Sequence, residues 1–322
     1  MNDTTKQEID NIGNIDLVYL WVNGNDPIWQ AKKQAALGDA ESKSSANCEG
    51  RYANHDELLF SLRSIEKYAP WINRIFIVTD NQVPEWLDRE NPKIRIVDHK
   101  EILPQECLPC FNSSVIEHFL ADIPGLSEHF LFSNDDMYLN RPTNPEDFFT
   151  PDGLPIVRLK KRHFRKFWIF LKEKLLHARS GLYNHKLDHS AAMIEQTFGK
   201  YYQGKPHHNI DAFLVSHFKK IRHLYMDEIS KILNHHKREY NDIHRSIYSY
   251  GALADSMGVL KYVGKEESMK ISLYNKKAYT KLDDLSPIFF CMNDSEHCKE
   301  EDRKYAADFL SKRFPEKSSF EL

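Results

Sequence analysis

The sequence has no excess of charge of either sign: its 44 Lys and Arg face 47 Asp and Glu along 322 residues. A nucleic-acid binder carries a strongly basic footprint, and a disordered chain joins low hydrophobicity to a large net charge, so neither class describes this chain as a whole. Long apolar runs are also missing. The first run, Ile15 to Val22, is far shorter than the roughly 20 residues that a membrane-crossing helix needs. The polar stretch before it does not read as a signal peptide, so the expectation is a cytoplasmic protein with a disordered tail over residues 1–14. Cysteine is scarce, and the five present are an odd number, which argues against a disulfide framework. Cys107-Leu-Pro-Cys110 has CxxC spacing and can be joined with Cys291 and Cys298 into a four-thiolate zinc site; plain reduced thiols are the alternative. No internal repeat or low-complexity tract is evident.

What is present alternates. Ile15–Val22 is rich in β-branched and aromatic residues and stops at the turn formers Asn23-Gly24-Asn25-Asp26-Pro27. Gly38 to Asn54 is polar and without period, a loop. Leu58, Leu62, Ile65 and Ala69 then make an apolar helix stripe, with Asn54 as cap, Glu57 three residues on and Pro70 as terminator. Strands are expected at Arg74–Thr79, Lys93–Val97 and His129–Ser133, with a helix from Ser113 or Ser114 to Pro124. This order predicts an α/β fold with a mostly parallel nucleotide-binding sheet, Rossmann-like or glycosyltransferase-like. Beyond it, about Asn209 to Asp255 reads as mainly helical, Val259–Val263 and Pro287–Met292 as strands, and Glu300–Phe314 as a last helix. The expected division is an α/β donor-binding core over 15–157, a helical, partly basic acceptor or lid region over 158–255, and a return to the core over 256–322.

Two apolar strands end in Asn-Asp, at Asn134-Asp135-Asp136 and Asn293-Asp294. In open α/β sheets ligands sit beyond the carboxyl ends of strands. Adjacent carboxylates there repel one another unless a cation offsets them, and a hard divalent metal on phosphate oxygens does so. A surface turn uses the same residues. Asp16 and Asp26 flank Trp21 and Asn23, a group that can stack a base and hold a ribose, or be a buried Trp beside an Asx-turn. The pairs His207-His208 and His235-His236 can supply a general base near Asp211 or Asp242, or bind a metal. Gly199 to Lys205 has P-loop spacing, but Pro206 stands where Ser or Thr must hold magnesium and the preceding residues look helical, so it is rejected. From Arg158 to Arg179 nine bases face one acid, Glu173, interleaved with Phe164, Phe167, Trp168, Ile169, Phe170 and Leu171. That pattern fits an interfacial segment on an anionic membrane, or a solvated helix with one core face.

Asp16-Leu-Val-Tyr-Leu-Trp-Val-Asn-Gly-Asn-Asp26 resembles the first signature region of the Stealth family, which comprises bacterial capsular polysaccharide phosphotransferases and the catalytic part of the lysosomal N-acetylglucosamine-1-phosphotransferase. Asp56 to Asn81 with Val83–Leu87 is similar to the second region, Phe111–Glu117 through Glu128 to Asp136 to the third, and the segment around Arg238 and Asp242 to the fourth. Ala212, Lys237 and Tyr52–Asn54 depart from the common pattern. The resemblance implies transfer of hexose-1-phosphate, or N-acetylhexosamine-1-phosphate, from a nucleoside-diphosphate sugar to a hydroxyl of a glycan acceptor, free or lipid-linked, with nucleoside monophosphate leaving. The alternative is a metal-dependent glycosyltransferase that releases the diphosphate. It further implies Mg2+ (or Mn2+) at Asp135, Asp136 and Asp294, His208 as base on the acceptor hydroxyl, Arg238 on the transferred phosphoryl group, and Trp21, Asn23, Arg63 and Asp80 around the nucleotide. The expected partners are a nucleotide-sugar, a glycan and a membrane surface touched through 158–179 at the inner face of the cell membrane, with no nucleic acid.

Overall fold

The computed structural model describes residues 12–38, 52, 55–171 and 181–322. Its strands are β1 (Ile15–Leu20), β2 (Ile75–Thr79), β3 (Ile94–Asp98), β4 (His129–Asn134), β5 (Met137–Leu139), β6 (Ile156–Lys160), β7 (Lys205–Pro206), β8 (Asp211–Leu214), β9 (Val259–Tyr262), β10 (Ser268–Ser272) and β11 (Phe289–Asn293). The helices used below are α1 (Pro27–Leu37), α2 (Glu57–Tyr68), α3 (Arg165–Phe170), α4 (Leu182–Phe198), α5 (Val215–Leu224), α6 (Ser246–Ala254), α7 (Lys276–Leu285) and α8 (Glu300–Arg313).

The main sheet runs β3-β2-β1-β4-β8, parallel except for the antiparallel edge strand β8. Strands covered on both faces read as continuous apolar runs, as β1 and β2 do. The stripe of α2 packs on one face: Leu58, Leu62, Ile65 and Ala69 share a core with Leu17, Tyr19 and Ile77. On the other face Val18, Phe76, Phe130 and Phe132 meet Phe213, Phe218 and Tyr248, the last two stacked at 3.5 Å. The second half of the chain therefore shares the core of the first. The expected boundary at 157 falls inside β6.

The chain leaves β1 towards β2 and β3 and returns to its other side at β4, which makes β1/β4 the switch point. Leu20 and Asn134 are register partners at the carboxyl ends of these two strands. A second sheet, β10-β11-β5, then sets β11 antiparallel to β5, pairing Cys291 with Met137, and the Met292 amide donates to the Asp136 carbonyl at 2.9 Å. Both Asn-Asp strand ends are thus brought to one place. A third sheet, β7-β6-β9, flanks it.

Several local expectations change. Asp211–Leu214, read as helical, is β8, and Arg158–Lys160, counted as part of a basic helix, belongs to β6; four or five residues are too few to show a period. Helical structure in the basic stretch is α3, while 172–180 lie outside the described residues, as do 1–11 and most of the 38–54 loop. Ile12, assigned to a tail, is buried. Gly199 ends α4 in the left-handed conformation, so the P-loop spacing is a helix terminus.

Candidate active site

A cleft of about 170 Å3 opens at the carboxyl ends of β1 and β4. One wall is aromatic. Asp26 caps α1, its carboxylate accepting from the Ile28 amide, and α1 carries Trp29 inward. Trp29 lies 5.4 Å from both Tyr52 and Phe111, centroid to centroid. The Gly24 amide donates to the Tyr52 carbonyl at 2.7 Å, and a Cβ on Gly24 would come within 2.2 Å of that oxygen, so only glycine lets the two backbones meet. Such a cage presents the π faces on which a heteroaromatic base stacks. Beside it lie Asp80, paired with Lys32, and His99. Asp80 Oδ2 and His99 Nδ1 are buried without hydrogen-bond partners among the described residues, and burial pushes the His99 imidazole down to about 4. Unmet buried acceptors and donors of this kind suit ligand hydroxyls.

The floor is acidic. Glu57 from the start of α2, Asp135 and Asp136 after β4, and Asp294 after β11 all line the cleft. Burial, then the charges of Asp136 and Asp294, push the Glu57 carboxyl up to about 7. Burial, then Asp136 and Glu57, hold Asp135 well above the carboxylate range. Asp294 is fastened by Arg303, whose Nε donates at 2.8 Å. Asp136 Oδ2 accepts the Cys291 thiol at 3.4 Å, and ligand atoms of Asp136, His208 and Cys291 lie within 4.8 Å of one another. His208 has φ 62°, an uncommon conformation for a side chain of its size. Its neighbours fix it: His207 shares a hydrogen bond with Ser268 Oγ at 3.1 Å, and Asn209 Nδ2 donates to the same oxygen at 2.8 Å.

Arg238 completes the cleft, donating through Nε (3.2 Å) and the second guanidinium nitrogen (3.0 Å) to Ser113 Oγ. Its loop is organised by Asp242, which is fully buried and accepts from Lys186 Nζ (2.7 Å), Asn112 Nδ2 (3.1 Å) and the Glu239 amide (2.9 Å) and bonds His235 Nδ1 (2.8 Å). Burial opposes ionisation of Asp242, but the Lys186 ammonium and these hydrogen bonds hold it below the usual range.

Residues 13–40 match the family model of Stealth protein conserved region 1, and 51–157 that of conserved region 2. The chain is 33% identical over 291 residues to the capsular polysaccharide phosphotransferase fcs1 of Haemophilus influenzae, covering 87% of this chain and 78% of that protein. The chain belongs to the Stealth family. Another Stealth relative, the capsular polysaccharide phosphotransferase cps12A of Actinobacillus pleuropneumoniae, is 34% identical over 299 residues, covering 87% of this chain and 76% of its own length. The receptor polysaccharide phosphotransferase WefC of Streptococcus oralis is 49% identical over 142 residues, 44% of this chain and 43% of its own. Among solved structures, the galactosyltransferase LgtC, in complex with donor and acceptor sugar analogs, aligns over 93% of this chain and 95% of its own at 9% identity and a TM-score of 0.40, too loose a likeness for residue correspondences. The stretches separately likened to a second and a third signature region both fall inside the single conserved region 2 model.

In this Stealth chain Trp21, Asp80, Asp135, Asp136, Arg238 and Asp294 line one cleft, with His208 reached through Asp136. Asn23 does not line it: its backbone exchanges hydrogen bonds with Gln82 at 3.0 Å, shaping the loop behind Trp21. Arg63 lies elsewhere, because the guanidinium is held by the Glu321 carboxylate at 2.8 and 2.7 Å and by the Phe314 carbonyl at 2.9 Å. Asp16 sits at the opposite end of β1, accepting from Asn73, the Arg74 amide and the Ser127 amide. The zinc reading fails: Cys107 and Cys110 belong to one core cluster and Cys291 and Cys298 to two others. The four paired histidines do not converge either, since His207 bonds Ser268, His235 bonds Asp242 and His236 bonds the Pro109 carbonyl.

Residues that sequence reasoning passed over are Glu57, assigned to a capping box, and Trp29, Tyr52, Phe111 and His99; Cys291, considered as a zinc ligand, bonds Asp136 instead. Glu57 carries a testable pH dependence. Its folded pKa lies above the ordinary 4.5, so the stability it contributes is full below about 4.5 and is lost as pH rises to about 7, on the order of 3 kcal/mol. Melting of metal-free protein across that window is expected to show falling stability, and Glu57→Gln to flatten the slope; an unchanged slope would assign it to other groups.

Proposed function

We propose that this Stealth enzyme transfers a whole hexose-1-phosphate, or N-acetylhexosamine-1-phosphate, from a nucleoside-diphosphate sugar to a hydroxyl of a surface-polysaccharide acceptor. The observation that carries the reading is the order of groups around one cleft: an aromatic cage, a nest of four carboxylates, and a guanidinium and an imidazole at its border. Residues 15–157 supply the donor pocket, 158–255 the acceptor side, and 256–322 return Asp294 to the centre.

The carboxylates suit a hard divalent cation, Mg2+ or Mn2+. The charges of Asp136 and Asp294 raise the affinity of Glu57 for protons, those of Asp136 and Glu57 raise that of Asp135, and that stored repulsion is what a cation relieves. Cys291 donates a hydrogen bond through its thiol to Asp136 Oδ2 at 3.4 Å. When bound, the ion neutralises charge on the diphosphate. Asp135, Asp136 and Asp294 would hold it, with Glu57 beside them.

The remaining roles belong to the chain. Trp29, Tyr52 and Phe111 stack the base, with Trp21 alongside, and Asp80 and His99 receive ribose hydroxyls. His208 takes the acceptor hydroxyl proton as its oxygen attacks the sugar-proximal phosphorus. The bond from that phosphorus to the bridging oxygen breaks, nucleoside monophosphate leaves, and a phosphodiester remains. Arg238 balances charge on the phosphoryl group in flight. The test is a donor labelled in the sugar-proximal phosphate: label entering the glycan supports the reading, and label leaving with the nucleotide refutes it.

No helix among the described residues is long and apolar enough to cross a membrane. For a lipid-linked acceptor the enzyme would meet the inner face of the membrane through 158–179, where Phe164, Phe167, Trp168 and Phe170 are all more than half exposed. The aromatics would carry this contact, since Arg162 and Arg165 are paired with Asp188 and Lys166 with Glu195. Phe167→Ser with Trp168→Ser is expected to weaken sedimentation with phosphatidylglycerol vesicles at least about tenfold, each buried aromatic side chain being worth about 1.5–3 kcal/mol. Equal sedimentation of the variant would remove the contact.

A further inference from the structure

Next to His208 but outside the cleft lies a group of bases that the reaction described above does not use. Lys160 on β6 and Lys205 on β7 are register partners, directly opposite one another across an antiparallel pair. Like charges so placed destabilise a sheet unless something offsets them. Neither has a carboxylate partner among the described residues; Lys205 Nζ instead stands 4.8 Å from the Tyr183 ring. Lys270 joins them from β10, where it is the register partner of Cys291. Arg162 and Arg165 approach from the end of β6 and share one acid, Asp188. Five bases thus face a single carboxylate. The ammonium groups of Lys160 and Lys205 are both pushed down, first by burial and then by neighbouring cations, Lys270 among them in each case. The cluster adjoins the reaction centre on two sides. Tyr183 lies 6.2 Å from the His208 ring, and Cys291 contacts Asp136.

We infer that Lys160, Lys205 and Lys270 form an acceptor subsite for a phosphate oxyanion, holding an anionic group of the acceptor close to the hydroxyl that His208 deprotonates. The inference rests on the transfer reading for the word acceptor, and on the cross-strand lysines for the anion. A phosphate answers the arrangement because its several oxygens can each receive an ammonium from a different strand, and lysine binds phosphate as a point charge. The anion relieves the Lys160–Lys205 repulsion and has little of its own charge left unbalanced. Two sources share this chemistry: a phosphodiester already built into the acceptor chain, and the diphosphate that joins a glycan to its lipid carrier.

The test needs no turnover. Calorimetric titration of the full chain, without donor, compares dimethyl phosphate as the chain-type probe with inorganic pyrophosphate as the carrier-type probe. Wild type is expected to bind at least one of them, with tighter dimethyl phosphate assigning the chain and tighter pyrophosphate the carrier. Lys160→Gln with Lys205→Gln is expected to weaken binding at least about tenfold, whereas Lys281→Gln, an exposed lysine of α7, keeps it. Should the double variant fold poorly, Lys160→Gln and Lys205→Gln singly are expected to shift binding in the same direction, and Lys160→Arg to retain it. Binding of neither probe, or equal binding by wild type and the glutamine variants, overturns the inference. A labelled-donor experiment that shows no phosphate transfer would instead overturn the reaction assignment and leave the anion site standing.

Discussion

Asp136→Ala is expected to lower transfer at least about a hundredfold at saturating donor while leaving the fold intact, because loss of a ligand from a metal centre costs activity on that scale. The residue is where the parts of the site meet. Its carboxylate receives the Cys291 thiol and lies in one cluster with His208, and its charge raises both Glu57 and Asp135. Its link to β11 runs through the backbone carbonyl, which the substitution keeps. A carboxylate retained only for structure would lower stability when removed. One retained for function against repulsion does the opposite, so metal-free Asp136→Ala is expected to melt at or above the wild-type temperature while its turnover collapses. Turnover within tenfold of wild type would remove Asp136 from the centre, and Mg2+ titration of Tm, expected to stabilise wild type far more than the variant, gives a second reading of the same point.

His208→Ala is expected to hold donor affinity within about threefold and to lose transfer by about 10²–10⁴, the range that a positioned general base supplies. The backbone provides a control that a structural role would not survive. At φ 62° any side chain is strained by roughly 1–3 kcal/mol and glycine is not, so His208→Gly is expected to be at least as stable as His208→Ala and equally inactive. Recovery of transfer in either variant as pH is raised, with hydroxide replacing the imidazole, would agree with the assignment. Turnover like wild type in a well-folded glycine variant would contradict it.

The legible parts of the fold are those with an apolar run closed by turn formers or a full helix stripe. β1, β2 and β4 carry such runs, and α2 shows its stripe over three turns, so the parallel sheet is legible. So is the meaning of its ends, since Asn134-Asp135-Asp136 and Asn293-Asp294 each follow a buried strand. That they would meet was not legible, because it depends on β5, three residues long, pairing antiparallel with β11. The family resemblance led to Asp80, Asp136 and Arg238, which line the cleft, but also to Arg63, whose partner Glu321 lies 258 residues away and leaves no trace in local pattern. Glu57 reads as the capping-box partner of Asn54, because a carboxylate three residues after a capping side chain satisfies that rule by itself. Only the arrival of Asp136 and Asp294 beside it, from strands far along the chain, turns it into part of an acidic nest. Tyr52 was invisible for a similar reason, its loop having no period and its position being set by the close approach to Gly24.

Which bond of the donor breaks separates phosphate transfer from sugar transfer. Purified protein incubated with Mg2+, a panel of nucleotide-sugars and a glycan acceptor, followed by chromatographic identification of the released nucleotide, decides it. Nucleoside monophosphate, formed in step with a new phosphodiester, is the predicted product; nucleoside diphosphate would mean that the sugar travels without its phosphate and would contradict the account.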